Sequence, residues 1–134
     1  MRSLAALALV LAALAGASAA TAAPGTTLTI AYFENGREPE TRTVHSLRCA
    51  PVRGTHPRRT LACKGLERVG RPGLLPVPAG RLCSEIFGGP ETAVVKGWID
   101  GRRVWVRLGR TNGCEIDRWN RLAFLLPVVW PASG

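Results

Sequence analysis

Four cysteines, Cys49, Cys63, Cys83 and Cys114, and two histidines, His45 and His56, are the residues of this 134-residue chain best suited to chemistry. Thiolates and imidazoles bind zinc, but the cysteine spacings of 14, 20 and 31 contain no C-x-x-C pair, which argues against a metal centre. A Cys–His nucleophile would need a reduced thiol. Ser46 and Ser84 offer hydroxyls, yet neither stands in a G-x-S-x-G context, and no H-E-x-x-H occurs. The carboxylates Glu85 and Glu91 flank a Gly88-Gly89-Pro90 turn, and nothing pairs them as acid and base. No catalytic constellation, metal or cofactor is therefore expected. What remains for the cysteines is disulfide formation.

That chemistry requires an oxidising compartment, and the first residues point to one. Arg2 precedes an apolar run from Leu4 to Ala15, and Gly16-Ala17-Ser18-Ala19 supplies small residues in an A-x-A arrangement. This is the pattern of a secretory signal peptide over 1–22, cut after Ala19 or, since Ala20-Thr21-Ala22 repeats the motif, after Ala22. The run is shorter than the ~20 apolar residues a membrane span needs. The expectation is a secreted, extracellular domain over 23–134 with no membrane attachment in its mature form. All four cysteines lie in that part, an even count that reads as two disulfides with three possible pairings.

Losing Arg2 lowers the net charge only from +9 to +8. Such a surface attracts anionic polymers, so a basic secreted module binding an anionic envelope polymer or nucleic acid is the alternative function. Arg58-Arg59 and Arg102-Arg103 are scattered pairs with little aromatic interleaving along the chain, which counts against nucleic acid. Trp98 and Trp105 read as core or interface residues.

The elements that must position these residues follow an α+β pattern. Thr27–Phe33 is β-rich and ends at an Asn35-Gly36 turn signal; a second strand covers about Thr41–Cys49, with Val44 and Leu47 its apolar members. Gly54-Thr55-His56-Pro57 predicts a helix start, with Thr55 or His56 as cap and Pro57 at the first turn. Ala62, Cys63, Leu66 and Val69 share a face, and Gly70 stops the helix. Arg71–Gly80, with three prolines and two glycines, is a loop. Strands over Thr92–Ile99 and Arg102–Leu108 flank the hairpin signal Asp100-Gly101, with Val104 and Val106 opposite in face to Arg103, Trp105 and Arg107. Cys114–Trp119 fits one short helical turn, and Leu122–Trp130 a last strand broken by Pro127.

Three segments, "CAPVRGTHPRRTLACKGL" from Cys49, "CSEIFGGPETAVVKGWIDGRRV" from Cys83 and "RTNGCEIDRW" from Arg110, resemble the Streptomyces subtilisin inhibitor-like family of secreted serine-protease inhibitors. The resemblance runs from about Thr27 to Val129. It implies a five-stranded antiparallel sheet with two short helices, disulfides Cys49–Cys63 and Cys83–Cys114, and a homodimer through the sheet. It also implies a protein that is not an enzyme but occupies one, a subtilisin-like or glutamate-preferring serine protease. The reactive bond carried over is Glu85–Ile86, with Leu82, Cys83, Ser84 and Phe87 as the protease-contacting loop, and Asn112 and Cys114 as its support. Ser84 and Glu85 stand where the better-known members have Pro and then Met, Lys or another long residue.

Overall fold

The computed structural model describes residues 25–128; the leader expected over 1–22 lies outside them. Strand β1 (Thr26–Phe33) alternates cleanly, with Leu28, Ile30 and Tyr32 buried. It pairs antiparallel with β2 (Arg42–Cys49), Leu28 opposite Leu47, and on its other side with β3 (Thr92–Ile99), Ile30 opposite Val95. β3 pairs antiparallel with β4 (Arg102–Leu108) through the Asp100-Gly101 turn. Both turn residues have positive φ, 50° and 75°, as a two-residue hairpin with right-handed strand twist requires. The sheet order is β2-β1-β3-β4.

Helix α1 (Arg59–Val69) starts two residues later than Pro57 suggests, with Arg58 at its N-cap. The expected face is correct: Ala62, Cys63 and Leu66 are buried, and the helix ends at Gly70. Helix α2 (Gly113–Arg121) is longer than the single turn expected. Both helices pack on one face of the sheet, where Leu28, Ile30, Leu47, Val95, Val106 and Leu108 meet Leu66, Trp119 and Leu125 in one core. The disulfides are Cys49–Cys63 and Cys83–Cys114. By restricting the unfolded chain, each stabilises the domain by roughly 3–4 kcal/mol for loops of this length.

The fifth strand is a correction: among the described residues the sheet has four strands, not five. Leu122 instead closes α2, its N–H donating to the carbonyls of Arg118 and Trp119, and Ala123–Leu125 form a 3-10 turn. Leu122 and the consecutive Phe124, Leu125 and Leu126 are all buried, which a strand with one face in water cannot achieve. Their carbonyls are served by side chains and not by a neighbouring strand. Arg58 Nη2 lies 2.8–2.9 Å from the carbonyl oxygens of Ala123, Leu126 and Val128, and His56 Nε2 lies 3.1 Å from that of Leu125.

His56 is fully buried, and its Nδ1 accepts the Arg58 backbone N–H at 3.1 Å. One ring nitrogen accepting and the other facing a carbonyl fix the neutral ring with its proton on Nε2. Burial holds its pKa below the usual histidine value, aided by the charges of His45 and Arg58 and opposed by the Leu125 hydrogen bond.

Candidate functional site

Between a short 3-10 turn, Pro72–Leu74, and the start of β3, the chain has no helix or strand, and part of it stands far out in water. Leu82 is 97% exposed, Phe87 67% and Ile86 61%, in a protein whose other large apolar side chains are mostly core. Exposing three such residues within six consecutive positions is costly, roughly 1.5–3 kcal/mol for each side chain that burial would have rewarded. Glu85 is exposed among them.

The segment behind this loop, Arg110–Cys114, holds it at two sides. Upstream, the Cys83–Cys114 disulfide ties the loop to the first turn of α2, with 5.4 Å between the Cα atoms. One residue on, the Ser84 carbonyl accepts the Gly113 N–H at 2.9 Å. Downstream, the Gly88 N–H donates to the Arg110 carbonyl at 2.7 Å. Only Glu85, Ile86 and Phe87 lie between these two backbone bonds, and all three are exposed. The loop is thus bracketed around the Glu85–Ile86 bond.

Side chains reinforce each bracket. Arg110 Nη1 pairs with Glu91 Oε2 at 2.9 Å, joining the segment behind the loop to the residues that return it to β3. Gly88 packs so close to Ile116 and Arg110 that a Cβ there would lie 2.9 Å from the Ile116 side chain. A Cβ on Gly113 would collide with Ser84 Oγ, so the absence of a side chain at 113 is what lets Ser84 approach. Before the loop, Arg118 reaches through the core to hold the backbone. Its Nε and Nη2 donate to the carbonyls of Leu75 and Leu74 at 2.9 Å each, and its Nη1 to that of Arg107 at 2.7 Å. Burial lowers the Arg118 pKa, and the charge of Glu115, 3.7 Å away, opposes that.

Asn112 sits behind the loop, but its side chain serves α2: Oδ1 accepts the Glu115 N–H at 3.0 Å as an N-cap. The N-x-x-E spacing from Asn112 to Glu115 is the sequence signature of such a cap. Its contribution to the loop is to orient the first turn of α2, whose Gly113 N–H then points at Ser84. Gly113, Arg110 and Arg118 were not singled out from sequence, and Gly88 only as part of the Gly88-Gly89-Pro90 turn. A glycine four residues before β3 and a glycine directly after an N-cap carry no signal until their neighbours in space are known.

Among the described residues, no group of three or more His, Cys, Asp or Glu side chains is arranged to hold a metal ion, and no helix is long and apolar enough to cross a membrane. The arrangement around the loop is built of backbone bonds, one disulfide and close-packed glycines. What it offers is a short exposed peptide, held open by backbone bonds and a disulfide.

Comparison with known proteins gives matches by family model, by sequence and by structure. The model of the subtilisin inhibitor-like family matches residues 5–112. Subtilisin inhibitor-like protein 1 of Streptomyces cacaoi is 39% identical over 77 residues, which cover 54% of this chain and 69% of that protein. Among solved structures, Streptomyces caespitosus sermetstatin in complex with Bacillus licheniformis subtilisin is similar at 28% identity and a TM-score of 0.45, over 70% of this chain and 90% of that one.

Proposed function

The chain belongs to the subtilisin inhibitor-like family, a family of serine-protease inhibitors and not of enzymes, and on that premise we propose that it blocks a subtilisin-like protease with the loop Leu82–Phe87. Glu85–Ile86 is then the bond presented for cleavage. Leu82 fills an apolar subsite upstream, Cys83 and Ser84 lie along the cleft, Glu85 enters the primary specificity pocket, and Ile86 and Phe87 occupy the leaving-group side.

The observation that carries this reading is the double bracket: Ser84 held to Gly113 on one side and Gly88 held to Arg110 on the other, with three exposed residues between. A loop ordered before it docks loses little freedom on binding, which favours affinity. After cleavage the same bonds, with the Cys83–Cys114 disulfide, keep the new ends together. Religation then competes with release, and the protease stays occupied.

Glu85 narrows the partner. A protease whose pocket carries basic or hydroxyl groups pairs the carboxylate, whereas an apolar pocket desolvates it without compensation. A glutamate-preferring serine protease is therefore the better-matched target. Export through the leader over 1–22 is consistent with the two disulfides. The dimer implied by the resemblance would use the sheet face that the helices leave open, and each protomer would carry a complete loop.

Inhibition assays against subtilisin, trypsin and a glutamate-preferring protease test the proposal. Tight, stoichiometric inhibition of the glutamate-preferring enzyme, weaker inhibition of subtilisin and little of trypsin is the expected order. Inhibition of none of them would overturn it.

A further inference from the structure

The two halves of the loop are held by different means. Upstream of the Glu85–Ile86 bond the hold is covalent: Cys83, two residues before Glu85, is tied to Cys114. Downstream no disulfide reaches the chain. Residues 86–91 form neither helix nor strand until β3 begins at Thr92, whose Oγ1 donates to the Gly36 carbonyl at 3.0 Å. A cut at Glu85–Ile86 would turn those residues into a loose arm unless something other than a disulfide holds them.

Arg110 grips that arm in three ways. Its carbonyl accepts the Gly88 N–H at 2.7 Å. A Cβ on Gly88 would lie 3.2 Å from the Arg110 Cβ, so the two backbones run in contact. Its Nη1 pairs with Glu91 Oε2 at 2.9 Å, and the Gly89 backbone lies against that pair: a Cβ on Gly89 would land on both atoms. Gly89 also has a φ of 141°, a conformation open to glycine. The absence of a side chain at 89 is what lets the chain close over the ion pair. The Arg110 and Glu91 side chains are only 16% and 20% exposed, so water and salt screen them far less than an ordinary surface pair.

We infer that the Arg110–Glu91 pair is a clasp that keeps the cut chain resealable, with both residues positioning the amine of Ile86. The inference rests on the inhibitory reading of the loop and names what holds its leaving side. In the cut, the protease serine oxygen bonds to the Glu85 carbonyl carbon and the bond to the Ile86 nitrogen breaks. The products are an ester on the serine and a free α-amine that has taken a proton. Resealing reverses this: the deprotonated amine attacks the ester, and the serine oxygen leaves and regains its proton. Water attacking the same ester releases the cut chain instead. By confining residues 86–91, the clasp keeps the amine beside the ester, where it outcompetes water. It also limits the freedom the chain gains on cutting, which favours the intact form at equilibrium.

The readout is the equilibrium ratio of cut to intact chains. Intact protein and protein already cut at Glu85–Ile86 are each incubated with a catalytic amount of subtilisin or a glutamate-preferring protease, whichever the wild type inhibits more tightly, until both give one ratio. Mass spectrometry without reduction counts the two forms, which differ by one water. Glu91→Ala and Arg110→Met should each raise the cut-to-intact ratio about tenfold, the scale of a lost charge-assisted hydrogen bond. The double variant should do little more than either single one, because each removes the same contact. Glu91→Gln keeps an acceptor for Arg110 and should raise the ratio by less; as the mildest change it carries the test if a harsher one unfolds the domain. Urea midpoints show which variants fold, and a merely structural role would lower those midpoints while leaving the ratio alone. A ratio unchanged from the wild type's in the folded variants, or a double variant whose effect is the sum of the two, would overturn the clasp and leave the inhibitory reading standing. A wild type that inhibits neither protease would overturn both.

Discussion

The Gly113 N–H donates to the Ser84 carbonyl at 2.9 Å, and a Cβ on Gly113 would occupy the space of the Ser84 hydroxyl. Two residues at neighbouring sequence positions to the disulfide partners thus fit each other directly. Gly113→Ala should push the loop from its place and weaken protease inhibition about tenfold or more, because a loop misplaced by an ångström loses the docking geometry. Ser84→Ala removes the colliding oxygen, so the Ser84→Ala, Gly113→Ala double variant should recover much of the loss. Inhibition constants for the wild type and three variants form the cycle that checks this.

Glu85 should set the specificity. In trypsin it would meet the carboxylate at the base of the pocket, and two like charges in a desolvated cleft repel. Glu85→Lys should convert a poor trypsin inhibitor into a good one, read as the inhibition constant. Glu85→Leu should improve inhibition of subtilisin and weaken that of the glutamate-preferring enzyme.

Removing the Cys83–Cys114 bridge as Cys83→Ser, Cys114→Ser should cost about 3–4 kcal/mol of stability, measured by urea unfolding. Its functional effect should be larger than its structural one. The nicked chain would no longer hold its ends together, so inhibition should be transient and the loop progressively hydrolysed, as seen by mass spectrometry over hours.

His56 should make stability pH-dependent. Folded, the ring is held neutral and its pKa lies below the ordinary 6.5; unfolded, it protonates near 6.5. The contribution is therefore complete above about pH 6.5 and is lost as pH falls from there through the folded value. Urea midpoints should decline between roughly pH 7 and pH 5, before most carboxylates titrate. His56→Gln should flatten that decline, and Arg58→Met should cost about 1.5–3 kcal/mol by orphaning the carbonyls that Arg58 serves.

Much of this was legible in the sequence because local signals and tertiary context agreed. The alternation of β1, the Asp100-Gly101 turn and the two strands beside it all appear where the residues place them. The C-terminal run was misread as a strand because an apolar stretch has no intrinsic partner. Arg58 and His56, 65 to 70 residues away, supply its hydrogen bonds, and no window of sequence contains both. The same limit hid the brackets of the loop and the clustering of cations with Trp98 and Trp105. Along the chain they look scattered; across β3 and β4 they interleave.

The most direct measurement concerns the bond itself. The protein is incubated with subtilisin at mildly acidic pH, the complex is dissociated, and the inhibitor is reduced and sequenced from its N-termini. A new terminus at Ile86, in chains that stay joined through Cys83–Cys114 until reduction, is the result expected. Cuts confined to positions after Arg71 or Arg81, with none at Ile86, would contradict it and make the loop an ordinary substrate.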